Sequence, residues 1–127
     1  MLWDPVFGTL LAGDHVVGRG SSVLDDSAGG SMIDFVRTTR MLLALSPRLI
    51  IPAHGDPCVT PSRLLSDYLE HRRAREEAIL SFCKAQATDD PQQIVAHVYA
   101  AVPESLWPSA VKNIRLHLDK LRFEGRL

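Results

Sequence analysis

The sequence predicts an α/β layer joined to an all-α module. Three observations lead there. A short apolar run from Phe7 to Ala12 stops at Gly13. A second run, "RLIIPA", is short, β-branched and flanked by Pro and His, which suits a strand buried on both faces. Between them lies a segment of helical periodicity, and strand, helix, strand in that order marks an α/β layer. After residue 60 the apolar residues recur only at helical spacing, and nearly all of the glycines lie before it. The expected division is therefore an α/β region at 1–60 and a helical region at 61–127.

The elements follow in order. Gly13-Asp14 ends the first strand, and Val16-Val17 is a candidate for a second short one. "GRGSSVLDDSAGG" is a loop by composition. Ser31 is a good N-cap, with Asp34 in the capping-box position. Ile33, Val36, Leu42 and Leu43 supply the apolar stripe of the helix that follows, and Ser46-Pro47 stops it. Thr60-Pro61 starts a second helix that runs to about Lys84 and contains the charged stretch "EHRRAREE". Asp90-Pro91-Gln92-Gln93 restates the start signal. A last helix from near Pro108 carries Val111, Ile114, Leu118 and Leu121 on one face, with Gly125 as its C′ residue. Arg126-Leu127 would begin a strand. Three helices followed by the start of a hairpin make a winged-helix pattern with a truncated wing.

Composition narrows the function classes. The 127 residues are 46% apolar and 23% charged with a net charge of −1, as in an ordinary globular protein. That balance gives no sign of a nucleic-acid or membrane partner. The two cysteines, Cys58 and Cys83, have no zinc-type spacing and suit a reducing compartment. No signal peptide is expected, which suggests an intracellular protein, cytoplasmic or organellar. Met1-Leu2-Trp3 runs straight into strand-like sequence, as if a longer chain were entered midway.

Two residues stand out as candidate metal ligands, Asp14 and His54. Each follows an apolar strand, and strand carboxyl ends are where α/β proteins place their ligands. A carboxylate can bridge two cations, and a neutral imidazole is a common zinc ligand. The other histidines read differently: His15 lies on the opposite face of an extended segment from Asp14. His71, His97 and His117 fall on helices as solvated or core-edge residues. Arg72, Arg73 and Arg75, interleaved with Glu70, Glu76 and Glu77, read as a salt-bridged solvent face or an interdomain contact.

Taken together, "AGDHVVGRGSSVLD", "LSPRLIIPAHGD", "HRRAREEAIL" and "NIRLHLDKLRFEGRL" resemble the metallo-β-lactamase-fold hydrolases with a C-terminal winged helix, of the β-lactamase-like protein 2 type. That group includes mitochondrial endoribonucleases, fungal polyketide thioesterases and plant and bacterial relatives. The resemblance runs from about residue 7 to the end. It implies the C-terminal part of an αββα sandwich at 1–60, followed by the winged helix. It implies that Asp14 bridges two metal ions, usually zinc, and that His54 ligates the second. Such ions acidify a bound water and polarise an ester, thioester or phosphodiester. Arg72 and Arg75 also match a family pattern, and they read as interface residues, not catalysts.

The chain departs from the family in one respect. The family's "HxHxDH" cluster and a further histidine lie upstream of the Gly-Asp motif, whereas here no histidine precedes Asp14. A catalytic zinc normally takes three protein ligands. The expectation is therefore the C-terminal portion of a zinc-dependent hydrolase that by itself binds zinc weakly, or not at all, and is inactive. The alternative is a non-catalytic interaction protein derived from the fold, with Asp14 and His54 as relics. In either case the partner is the missing N-terminal part of the fold, or a protein covering an exposed apolar sheet. Nucleic-acid binding through the winged helix ranks third, because the module is near neutral.

Overall fold

Strand β2, Thr9–Gly13, pairs in parallel with β3, Leu49–Pro52, and antiparallel with β1, Leu2–Asp4, giving a three-stranded sheet in the order β1-β2-β3. The computed structural model describes residues 1–17 and 30–127. The Gly/Ser-rich stretch 18–29, expected to be a loop, lies outside the described residues. Helix α1, Met32–Ala44, connects β2 to β3, and Ser31 Oγ caps it by accepting the Asp34 N–H at 3.2 Å. Three more helices follow: α2, Pro61–Gln86, α3, Pro91–Val98, and α4, Trp107–Phe123. Among the described residues no helix is long and apolar enough to cross a membrane.

The described residues form two compact units. One joins the N-terminal residues to Phe35–His71, and the other is built on Arg72–Leu127 with residues just before Phe35. The division falls inside α2, between His71 and Arg72, and again inside α1, between Asp34 and Phe35.

In the first unit, Leu10, Ala12 and Ile50 turn inward and are buried, together with Phe35 and Leu42 of α1 and Leu65 and Tyr68 of α2. The strand "RLIIPA" is buried on one face only, against the expectation of two. Its Ile51 is 38% exposed, its partner Leu11 is 41% exposed, and Leu2 opposite Leu11 is 69% exposed. Period-two alternation puts these three apolar residues in one row across the bare side of the sheet. Two further differences are local. Strand β1 has no strong sequence signal, because its three residues gain regularity only by pairing with β2. Val16-Val17 is not a strand: Tyr68 Oη donates to the Val17 carbonyl at 3.1 Å and accepts the Val17 N–H at 3.3 Å. Those bonds occupy the groups a ladder would need.

In the second unit, Ile79, Leu80 and Cys83 of α2 pack with Ile94 and Val95 of α3 and Val111, Ile114, Leu118 and Leu121 of α4. The caps are as the residues suggest. Asp90 Oδ1 accepts the Gln92 N–H at 3.0 Å, with Pro91 opening α3. Gly125, at φ 71°, closes α4: its N–H reaches the Arg122 carbonyl at 3.1 Å, and Arg126 N–H reaches that of Leu121 at 2.9 Å. This is the Schellman arrangement. After it the described chain shows no strand, so the expected start of a wing at Arg126-Leu127 is absent here.

The charged middle of α2 is not a plain solvent face. Arg72 and Glu76 are buried, and so is His117 of α4, at 1% exposure, rather than solvated or at the core edge. Glu76 Oε2 accepts from His117 Nδ1 at 2.9 Å, and its Oε1 accepts from Lys120 at 2.7 Å. Arg72 donates to Asn113 Oδ1 at 3.1 Å, and Arg75 donates to the Val98 carbonyl at 2.8 Å while lying over the Tyr99 ring. Side chains of α2 thus satisfy polar groups on both α3 and α4.

Burial would push the Glu76 carboxyl up, but the His117 and Lys120 bonds outweigh it and hold it below its ordinary range. Burial pushes His117 down, against the opposing pull of Glu76. With Glu76 ionised, Nδ1 carries a proton, and Nε2, buried and without a hydrogen-bond partner among the described residues, is where burial resists a second one. Folding thus favours the neutral imidazole. The unfolded chain takes up a proton below about pH 6.5 that the folded chain resists, so stability falls as pH drops through that region. The urea midpoint is expected to be lower at pH 5.5 than at pH 7.5, and His117→Asn should flatten that difference; a pH-independent midpoint contradicts the burial argument. Glu76→Ala, which strips a buried partner from His117 and Lys120, should cost about 3 kcal/mol in the same measurement.

Candidate metal-binding site

The two sequence-selected residues, 40 positions apart, meet at adjacent strand tips. The register carries them there. The last paired residues are Gly13 and Pro52, and Ala53 N–H then donates to the Gly13 carbonyl at 3.0 Å. Asp14 is the next residue after Gly13, and His54 the next after Ala53. His54 Nε2 and Asp14 Oδ1 stand 3.5 Å apart, and their side chains are 83% and 81% exposed.

Local structure fixes each side. Gly13 has φ 58°, in the left-handed region, and His15 N–H returns to the Ala12 carbonyl at 3.3 Å. Gly13 and Asp14 are thus the central residues of a tight turn that begins with a positive φ, where glycine costs least. On the other side, Ile50 and Cys58 exchange two backbone hydrogen bonds, of 2.8 and 3.0 Å, closing the base of the loop that carries His54. His15 is turned from the pair. Its Nε2 lies 2.9 Å from Thr39 Oγ1, and its ring stacks on Phe35 at 4.5 Å.

The donors suit a borderline metal ion: one carboxylate oxygen and one imidazole nitrogen. Two ligands about 2.0 Å from a tetrahedral zinc lie about 3.3 Å from each other, close to the observed 3.5 Å. The pair therefore fits part of a zinc site and not a whole one. Among the described residues no group of three or more His, Cys, Asp or Glu side chains is placed to hold a metal ion. Cys58 and Cys83 are both free thiols.

Neither Thr39 nor Tyr68, which grip the segment beyond Asp14, is marked as functional by the sequence. Each sits within or beside an apolar stripe, where a lone hydroxyl carries no signal until its partner is known. The adjacency Asp14-His15 was the available clue, since a histidine that follows a turn needs somewhere to put two ring nitrogens.

The first unit is thus an α/β layer with a strand-tip Asp–His pair, and the second a helical module with no wing strand among the described residues. Both resemble parts of known proteins. Residues 91–127 match the beta-lactamase associated winged helix domain. Over 122 residues the chain is 34% identical to the beta-lactamase-like protein 2 homolog of Drosophila melanogaster, covering 94% of this chain and 40% of that protein. It is 25% identical to a probable metallo-hydrolase of Bacillus subtilis (strain 168), covering 98% of this chain and 41% of that protein. A metallo-beta-lactamase family protein from Thermus thermophilus shares the fold with a TM-score of 0.75 at 24% identity, over 97% of this chain and 39% of that one. Over nearly its whole length the chain is thus similar to beta-lactamase-like proteins and shares the metallo-β-lactamase fold, and it spans about two fifths of the length of the relatives it matches.

Gly13→Ala forces a side chain into the left-handed turn and should destabilise the first unit by about 1 kcal/mol or more, read as a lowered melting temperature. Wild-type stability in that variant would show that the turn tolerates another backbone conformation.

Proposed function

We propose that this chain is the C-terminal portion of a zinc-dependent metallo-β-lactamase-superfamily hydrolase acting on an ester, thioester or phosphodiester. In this reading Asp14 and His54 supply two ligands to a site that the rest of the fold completes. The observation that carries it is the Asp14–His54 separation of 3.5 Å at neighbouring strand tips. Zinc in a complete site would supply an acidified water and a polarised scissile bond. The residues described here do not complete such a site, so no catalytic step is assigned to them.

The bare row Leu2, Leu11 and Ile51 supports the same reading. A sheet face of this kind is stable when a second layer covers it. The missing part of the fold is the natural occupant. A second reading assigns the row to a separate protein partner and leaves Asp14 and His54 as relics; large exposed apolar surfaces do mark partner sites. An upstream "HxHxDH" in the same reading frame supports the enzyme and removes this second reading.

Two measurements test the proposal. Calorimetric titration of this chain with zinc should show weak binding and no hydrolase activity; tight stoichiometric uptake would contradict a two-ligand site. In the full-length protein, Asp14→Asn and His54→Ala should each lower hydrolysis by at least about 100-fold, because even the outer partners of metal ligands cost about 10–100-fold when removed. Full activity in either variant sinks the assignment.

A further inference from the structure

Asp14 is a corner residue with a permissive neighbour. Upstream it is held through the Gly13 carbonyl, which accepts from Ala53. Gly13 itself is the residue type most able to swing. A carboxylate at such a corner stays opposite His54 only if the chain beyond it is also held, and the structure shows how that is done.

Three contacts grip residues 15–17. First, Thr39 Oγ1 donates its single proton to the Phe35 carbonyl at 2.7 Å, so it can only accept from His15, whose Nε2 must be the protonated nitrogen. Thr39 is fully buried, so this hydroxyl is satisfied in both directions inside the unit. Second, the His15 ring lies nearly flat on Phe35, at an interplanar angle of 20°, and Phe35 in turn neighbours Tyr68 at 6.5 Å. Third, Tyr68 Oη takes both backbone polar groups of Val17. Val16 between them is buried. Helices α1 and α2 therefore fasten the three residues after Asp14 by a ring, an apolar side chain and a backbone clamp. Apolar packing alone would accept any residue of similar shape at position 15; the bond to a buried hydroxyl needs an N–H donor there, which His15 supplies through a proton on Nε2.

We propose that His15 is a positioning residue: through Thr39 and Phe35 it sets the direction in which Asp14 leaves the turn and so keeps the carboxylate opposite His54. As a statement about the metal site it rests on the reading of Asp14 and His54 as ligands. As a statement about geometry it does not.

The test is a double-mutant cycle read without metal, on this chain, from the His54 ring signals in heteronuclear NMR. In the wild-type chain Asp14→Asn should displace the His54 ring signals, because the carboxylate lies beside them. In His15→Phe, which keeps the stacking and loses the donor, and in Thr39→Val, which swaps one hydroxyl for a methyl, the response to Asp14→Asn should fall below about half. His15→Gln, whose side-chain amide can donate to Thr39, should restore most of it. The melting temperature controls for folding, and Thr39→Val carries the test should His15→Phe not fold. A full His54 response to Asp14→Asn in folded His15→Phe or Thr39→Val overturns the proposal, as does failure of His15→Gln to rescue. Because no metal is present, the outcome is independent of whether Asp14 and His54 are ligands; survival of hydrolysis in full-length Asp14→Asn overturns that reading alone.

Discussion

The hydrogen bond from Ala53 N–H to the Gly13 carbonyl is the constraint on which the site depends. It is the last link of the parallel ladder between β2 and β3, and it stands one residue before both Asp14 and His54. A parallel pair advances its two strands in the same direction, so both carboxyl ends open on the same side. Two residues 40 positions apart become neighbours by that rule, with no direct attraction required. The irregularity between Leu11 and Gly13 and the positive φ of Gly13 then end the ladder abruptly, which lifts Asp14 out of the sheet instead of burying it in one.

The same sheet has one covered face and one open face. One face buries Leu10, Ala12 and Ile50, while the other carries Leu2, Leu11 and Ile51 in the open. The strand-tip pair likewise offers two donors where a catalytic zinc takes three. The chain spans 40% of the Drosophila relative's length.

The helical unit is built on a different principle. Its apolar core is ordinary, but the contacts of α2 with α3 and α4 include a buried carboxylate shared by His117 and Lys120, and a buried guanidinium on Asn113. Such groups lose more when one partner is removed than they gain when all are present. They penalise any rotation of α4 that would leave Glu76 unpaired, so they select one packing of the helices where apolar contacts alone would allow several.

By itself the sequence determined the elements whose causes are local. Ser31, Asp90-Pro91 and Gly125 mark helix ends because capping and left-handed closure act within a few residues. The stripe Val111, Ile114, Leu118 and Leu121 marks a buried face because helical spacing is periodic. Gly13-Asp14 and His54 were legible as strand-tip residues for the same reason. Only the tertiary structure decided the rest. β1 exists through its partner strand, Ile51 is exposed because no second layer lies over it among the described residues, and Arg72, Glu76 and His117 are buried because their polar groups find partners across two helices. Thr39 and Tyr68 grip the turn from other elements entirely. Pairing, cover and polar satisfaction are properties of two segments at once, and one-dimensional periodicity records only the preferences of one.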